Sequence, residues 1–175
     1  MALSPDGRTL AYGTSGWEIG FVDIATRSLG TTFRTSIPNG PNALAYSPDG
    51  TTLAAAGEDG LVYLFDPNTG ATVGEPFQGH TNVINSLAYS PDGNMLASGS
   101  DDTTLRLWDT SSRNRPVHFQ GMDSEVWSSA ISLDGEAVAH GSRNGGLWVW
   151  QADGTLLGDE RARLLTQFSG GLAHH

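Results

Sequence analysis

The chain has 175 residues, enough for a hydrophobic core and, by length alone, one domain. Its nine cations, all arginine, stand against 19 carboxylates, and the net charge of −10 argues against nucleic acid or an anionic membrane surface as partner. Absence of cysteine removes disulfides, thiolate nucleophiles and Cys-type zinc sites, and no apolar run approaches the roughly 18 residues of a membrane span.

The N-terminus enters a turn motif directly, without a basic-then-apolar signal segment, so a cytoplasmic location is expected. The exclusive use of arginine hints at a bacterial source. Glycine (23) and proline (8) exceed average usage, as a chain of many tight turns requires.

Internal repetition organises everything else. Ser-Pro-Asp-Gly stands at residues 4–7, 47–50 and 90–93, and Ser-Leu-Asp-Gly at 132–135, at intervals of 43, 43 and 42. A second marker keeps the same step: Val22-Asp23, Phe65-Asp66, Trp108-Asp109 and Trp150-Gln151. Two markers in fixed phase over four copies, at a period of 40 to 45 residues, predict four-stranded blades of a β-propeller.

Taken in chain order, short apolar runs predict strands at 9–12 and 20–22 in the first copy. The second copy gives 43–46, 52–56, 61–65 and a weaker run at 71–77. The third gives 84–89, 95–98, 104–108 and 116–119, and the fourth 126–131, 137–140 and 147–150. The last strand of the fourth copy is divided between 155–157 and 163–168, and 159–167 alone carries a helical period. These runs divide the chain into blades at 1–41 (its first strand truncated), 42–80, 81–122 and 123–158, with 159–175 a tail or displaced last strand. In the turns, proline presets φ near −65° and the glycine supplies positive φ, so the motif reads as hairpin chemistry and carries no function.

The third copy, residues 79–109, begins Gly79-His80 and continues through Ser90 to Gly93, Leu96 to Ser100, Asp102 and Trp108-Asp109. It resembles a WD-repeat (tryptophan–aspartate repeat) blade, and weaker copies extend the resemblance over about residues 2–158. The resemblance implies a hydrogen-bonded structural tetrad of His80, Ser98, Asp102 and Trp108. The second copy has Ala55 and Phe65 at the serine and tryptophan positions and keeps Asp59. The fourth keeps Trp150 but has Met122, His140 and Asn144, and the first has Tyr12, Gly16 and Val22. One blade is therefore expected to build the network in full, to be the most rigid, and to leave three blades resting on apolar packing.

His80, Ser98 and Asp102 are also the residue types of a nucleophile–base–acid set. The structural reading is preferred, because no Gly-x-Ser-x-Gly elbow exists and Ser98 falls within a strand. Neither His118, His140, His174 and His175 nor the pairs Glu58-Asp59 and Asp101-Asp102 have metal-ligand spacing. No phosphate loop is present. No cofactor, metal or catalytic residue is expected.

The resemblance implies a protein or peptide partner on the face that carries the loops entering the first strands and joining the second to the third. Trp127, Asn85 and Asn42 fall near the strand starts, and Glu58, Asp101 and Arg143 on the opposing loops. Trp127 leads these candidates, since its equivalents are both asparagine and aromatics dominate binding hot spots. Trp17 belongs to the same loop region or fills space between blades. The expected function is a non-catalytic interaction or scaffold module, such as the sensor propeller of a larger signalling protein. A propeller enzyme or small-ligand binder using the central channel is the alternative. Four blades fall short of the usual ring of about seven, so an incomplete ring or part of a larger propeller is expected, with self-association through exposed blade edges or a closed four-bladed form also open.

Overall fold

The Ser-Pro-Asp-Gly turn makes the same hydrogen bonds in every copy. Ser4, Ser47, Ser90 and Ser132 each donate Oγ–H to the aspartate two residues on, at 2.6, 2.6, 2.5 and 2.5 Å. That aspartate oxygen also accepts from the backbone N–H of Arg8, Thr51, Asn94 or Glu136, at 3.0–3.1 Å. The closing glycines lie at φ 70–74°, a region open to glycine at little cost. Leu133 leaves this geometry intact in the fourth copy, so proline contributes there by narrowing the unfolded ensemble rather than by shaping the turn.

The computed structural model describes residues 1–112, 117–119 and 124–159. It is all-β, with four antiparallel four-stranded sheets arranged as blades of a propeller. Blade 1 holds β1 (Ala2–Leu3), β2 (Thr9–Thr14), β3 (Glu18–Asp23) and β4 (Ser28–Arg34). Blade 2 holds β5 (Ala43–Tyr46), β6 (Leu53–Ala56), β7 (Leu61–Phe65) and β8 (Phe77–Gln78). Blade 3 holds β9 (Ile84–Tyr89), β10 (Met95–Ser100), β11 (Leu105–Asp109) and β12 (Val117–Phe119). Blade 4 holds β13 (Val126–Ile131), β14 (Ala137–Ser142), β15 (Leu147–Gln151) and β16 (Leu156–Asp159).

The sequence expectation had no outer strand in blade 1. The seven-residue β4 is that strand, rich in Thr and Gly and almost wholly exposed. Phe33 anchors it, 5.8 Å from the Phe21 ring and 5.3 Å from Phe65. The run expected at 71–77 contracts to β8 and one bridge between Phe65 and Thr72. In blade 4 the outer strand is β16, which agrees with the 155–157 alternative. Asp159, where the helical period was expected to start, ends that strand. The 163–168 run, the rest of the helical stretch and the remainder of the tail lie outside the described residues.

The core lies between blades, which pack in chain order. Ala11, Ile19 and Phe21 of blade 1 meet Leu44, Leu53 and Phe65 of blade 2. Ala54, Val62 and Leu64 meet Ile84, Leu96 and Trp108 of blade 3. Ala97, Leu105, Leu107 and Phe119 meet Val126, Val138 and Trp150 of blade 4. Strand alternation explains this: each blade sends odd and even residues to opposite neighbours, so its central strands are apolar on both faces. Polar ties cross the same interfaces. Ile84 N–H donates to Gly57 O at 2.9 Å, and Ser129 Oγ–H to Ser86 Oγ at 3.0 Å.

Candidate functional site

The four residues expected to form a tetrad meet in blade 3. His80 enters just before β9, Ser98 sits within β10, Asp102 in the β10–β11 turn and Trp108 near the end of β11. His80 Nδ1 lies 2.8 Å from Asp102 Oδ2, and His80 Nε2 lies 2.7 Å from Ser98 Oγ. Trp108 Nε1–H donates to the same Ser98 oxygen at 2.8 Å. With that lone pair taken, the serine proton is directed to His80 Nε2, and the imidazole carries its own proton on Nδ1 toward the carboxylate. Asp102 also accepts from Thr104 Oγ–H at 2.6 Å and Thr81 N–H at 3.0 Å. Burial raises the Asp102 carboxyl, but the bonds from His80 and Thr104 outweigh it and hold the group well below the usual carboxylate range. Every ring and hydroxyl proton has a partner.

Ser98 is fully buried and His80 nearly so. Its oxygen is shared between two ring nitrogens, and no substrate can approach it from solvent. The arrangement ties strand to strand.

The other blades solve the same positions differently. In blade 2, Asp59 Oδ2 accepts from Tyr63 Oη–H at 2.8 Å, so this blade does not rest on apolar packing alone. In blade 4, His140 replaces the serine and stacks on Trp148, ring centres 5.1 Å apart. Among the described residues, neither ring nitrogen of His140 nor Trp150 Nε1 has a hydrogen-bond partner. Burial pushes the His140 imidazole down to about 4. Met122 lies outside the described residues. In blade 1, Tyr12 lies over Gly20, where the ring leaves no space for a Cβ.

The six candidate surface residues fall into three repeat-equivalent pairs, and two of the pairs are in contact. Asn85 Nδ2–H donates to Asp101 Oδ1 at 2.6 Å, and also to Val126 O of the next blade at 3.2 Å. One blade on, Trp127 and Arg143 occupy those positions, with the guanidinium carbon 5.8 Å from the ring centre. Arg143 also pairs with Glu125 at 3.1 Å. One blade earlier, Asn42 and Glu58 hold the same places, but Glu58 accepts instead from Asn39 Nδ2–H at 2.7 Å. Trp127 is 55% exposed, an amphipathic ring left in solvent beside a cation.

The strain at Trp17 was not legible from residue type. Trp17 is 49% exposed and sits at φ 66°, in the left-handed region. Its equivalents Gly60, Thr103 and Gly145 share that backbone (φ 71°, 64° and 84°). A bulky residue there is strained and marks a position where function is worth seeking. Half its surface lies in solvent, so Trp17 is not buried between blades. The signal lay in the repeat alignment, which puts it opposite two glycines.

On the turn face, open grooves of about 520 and 510 Å³ run between successive Ser-Pro-Asp-Gly turns. Their carboxylates, Asp6, Asp49 and Asp92, are held below the usual range chiefly by the serine hydroxyl of their own turn. These groups are committed to the turns. Among the described residues, no cluster of three metal-ligating side chains forms.

Residues 28–66 and 71–109 each match the family model of the WD domain, G-beta repeat. Each matched segment starts at the outer strand of one blade and runs through the third strand of the next, β4 to β7 and β8 to β11. No curated protein matches the chain.

Proposed function

We propose that the chain is a WD-repeat protein through all four blades, divided near 41, 80, 122 and 158, and that it acts as a non-catalytic module binding a protein or peptide. The bound segment lies on the face carrying Trp127, Arg143, Asn85, Asp101, Asn42 and Glu58. One observation carries the reading: the Asn85–Asp101 pair, satisfied within the fold, is replaced one blade later by an exposed Trp127–Arg143 stack. Tryptophan and arginine are the residue types most enriched where binding energy concentrates. The burial of Ser98 supports a brace rather than a nucleophile.

Peptide display on the folded chain tests this reading. Peptides enriched on the wild type are expected to lose at least tenfold in affinity for Trp127→Ala, with circular dichroism unchanged. Equal binding to the variant, or no enriched peptide, removes the assignment.

A further inference from the structure

We infer that Trp17, Ser15 and Arg34 form a second binding site, on blade 1, for a carboxylate carried by a peptide. The site goes beyond the Trp127 surface on blade 4 and stands whether or not that surface binds.

The turn between β2 and β3 sets Trp17 one residue before Glu18, whose register partner across the sheet is Arg34. Thr35, next after Arg34, donates its N–H to Trp17 O at 2.7 Å, so backbone bonds hold the two segments together. Between them lies an open cavity of about 450 Å³, lined by Ser15, Gly16, Trp17, Arg34 and Thr35.

The polar groups of this cavity are uncommitted. Arg34 meets Glu18 only through Nε, at 3.9 Å, with 82% of its side chain in solvent. An ion pair so long and so exposed contributes little. Among the described residues, neither Arg34 Nη1 and Nη2 nor Ser15 Oγ has a hydrogen-bond partner. The two terminal nitrogens form a planar fork that matches both oxygens of a carboxylate, and the serine hydroxyl adds another donor. Trp17 sets an indole beside them, on a left-handed backbone that a glycine would adopt without strain.

Blade 2 shows that the fold does not require this set. There Gly60 stands in place of Trp17, and Gln78, the register partner of Leu61, in place of Arg34. A Cβ on Gly60 would come within 2.8 Å of His80 O, so the next loop closes over that turn. Blade 1 has the ring, the cation and the open space together.

Charge selects the ligand class. A chain of net charge −10 repels a polyanion, whereas a single carboxylate needs only the one guanidinium fork. An apolar residue beside the carboxylate covers the Trp17 ring. The carboxylate comes from an Asp or Glu side chain or from the peptide's own C-terminus.

Random heptapeptides with free C-termini test the site, depleted first on folded Arg34→Gln chain and then selected on the wild type. Depletion removes ligands of every other surface, the Trp127 face included. The peptides that remain are expected to carry a carboxylate next to an apolar residue. They lose at least tenfold in affinity for Arg34→Gln and for Trp17→Gly, both with unchanged circular dichroism. Arg27→Gln removes the same charge from the exposed turn at the other end of β4, and is expected to bind within twofold of wild type. Exchange of Glu or Asp for its amide abolishes binding where the side chain is the source, and C-terminal amidation where the terminus is. No peptide left after depletion overturns the inference. So do peptides that tolerate both amide exchanges, wild-type binding by Trp17→Gly, or an equal loss in Arg27→Gln.

Discussion

His140 lies flat against Trp148, ring planes 12° from parallel, in the repeat position that Ser98 holds one blade earlier. The stack spares the imidazole the cost of an empty site but, among the described residues, its nitrogens have no hydrogen-bond partner. Burial alone sets its titration, down to about 4 from an ordinary 6.5. Above pH 6.5 the ring is neutral in both folded and unfolded chains, and the stability is intact. As pH falls from 6.5 toward 4, the unfolded chain takes a proton that the folded chain refuses, and stability drops by up to about 3 kcal/mol. The lowered turn carboxylates add their own loss only as pH falls below about 5, at the acid end of that window. Urea denaturation of His140→Leu is expected to match wild type within about 1 kcal/mol at pH 7, since two orphaned nitrogens are removed with little change in volume. Between pH 6.5 and 4.5 the variant loses less stability than wild type. Parallel pH profiles would exclude His140 as the acid-sensitive group.

Ser98→Ala tests the blade 3 brace from its centre. The hydroxyl serves His80 and Trp108 together, so its loss strands two buried ring nitrogens. Each stranded group costs about 1–3 kcal/mol, and the shared site makes the two costs less than additive. A loss of roughly 2–4 kcal/mol in urea denaturation is expected. Ala55 already occupies this position in blade 2, so the alanine itself fits a blade. A loss under 1 kcal/mol would mean that the rings find other partners.

Hydrogen exchange should rank the blades. Amides of β10 and β11 sit beneath the complete network, whereas His140 on β14 and Trp150 on β15 have ring nitrogens without a partner among the described residues. The central strands of blade 3 are expected to exchange more slowly than those of blades 1, 2 and 4. Equal protection across the blades would reduce the network to a local feature without mechanical consequence.

Much of this architecture could be read directly, because a turn repeated at fixed phase leaves few alternatives. The tetrad of His80, Ser98, Asp102 and Trp108 was legible only through the resemblance of residues 79–109 to a WD-repeat blade, which implied it. Three features escaped for physical reasons. The strand β4 pairs with β3 but turns only Phe33 out of solvent, so it has no apolar alternation to read. Tyr63 on β7 reaches back four residues to Asp59 in the turn before it, a local bond that no strand pattern announces. The pairing of Trp127 with Arg143 emerges only when the blade is overlaid on Asn85 and Asp101, where the first pair is a cation beside a ring and the second a hydrogen bond.

Trp17 carries the last prediction. Its carbonyl accepts from Thr35 N–H at 2.7 Å and from Thr35 Oγ–H at 3.2 Å, bonds that a glycine would keep. The left-handed backbone at φ 66° costs a side-chain-bearing residue about 1–2 kcal/mol, and an indole left half in solvent recovers little of it. Glycine gives back part of the gain as entropy in the unfolded chain. Trp17→Gly is therefore expected to stabilise the protein by about 1 kcal/mol and to raise its Tm by roughly 2–4 °C in differential scanning calorimetry. A lower Tm would show that the ring packs on the loops around Thr35 more strongly than its exposure suggests. A rise in Tm would mark Trp17, like Trp127, as a residue to substitute once a bound peptide is in hand.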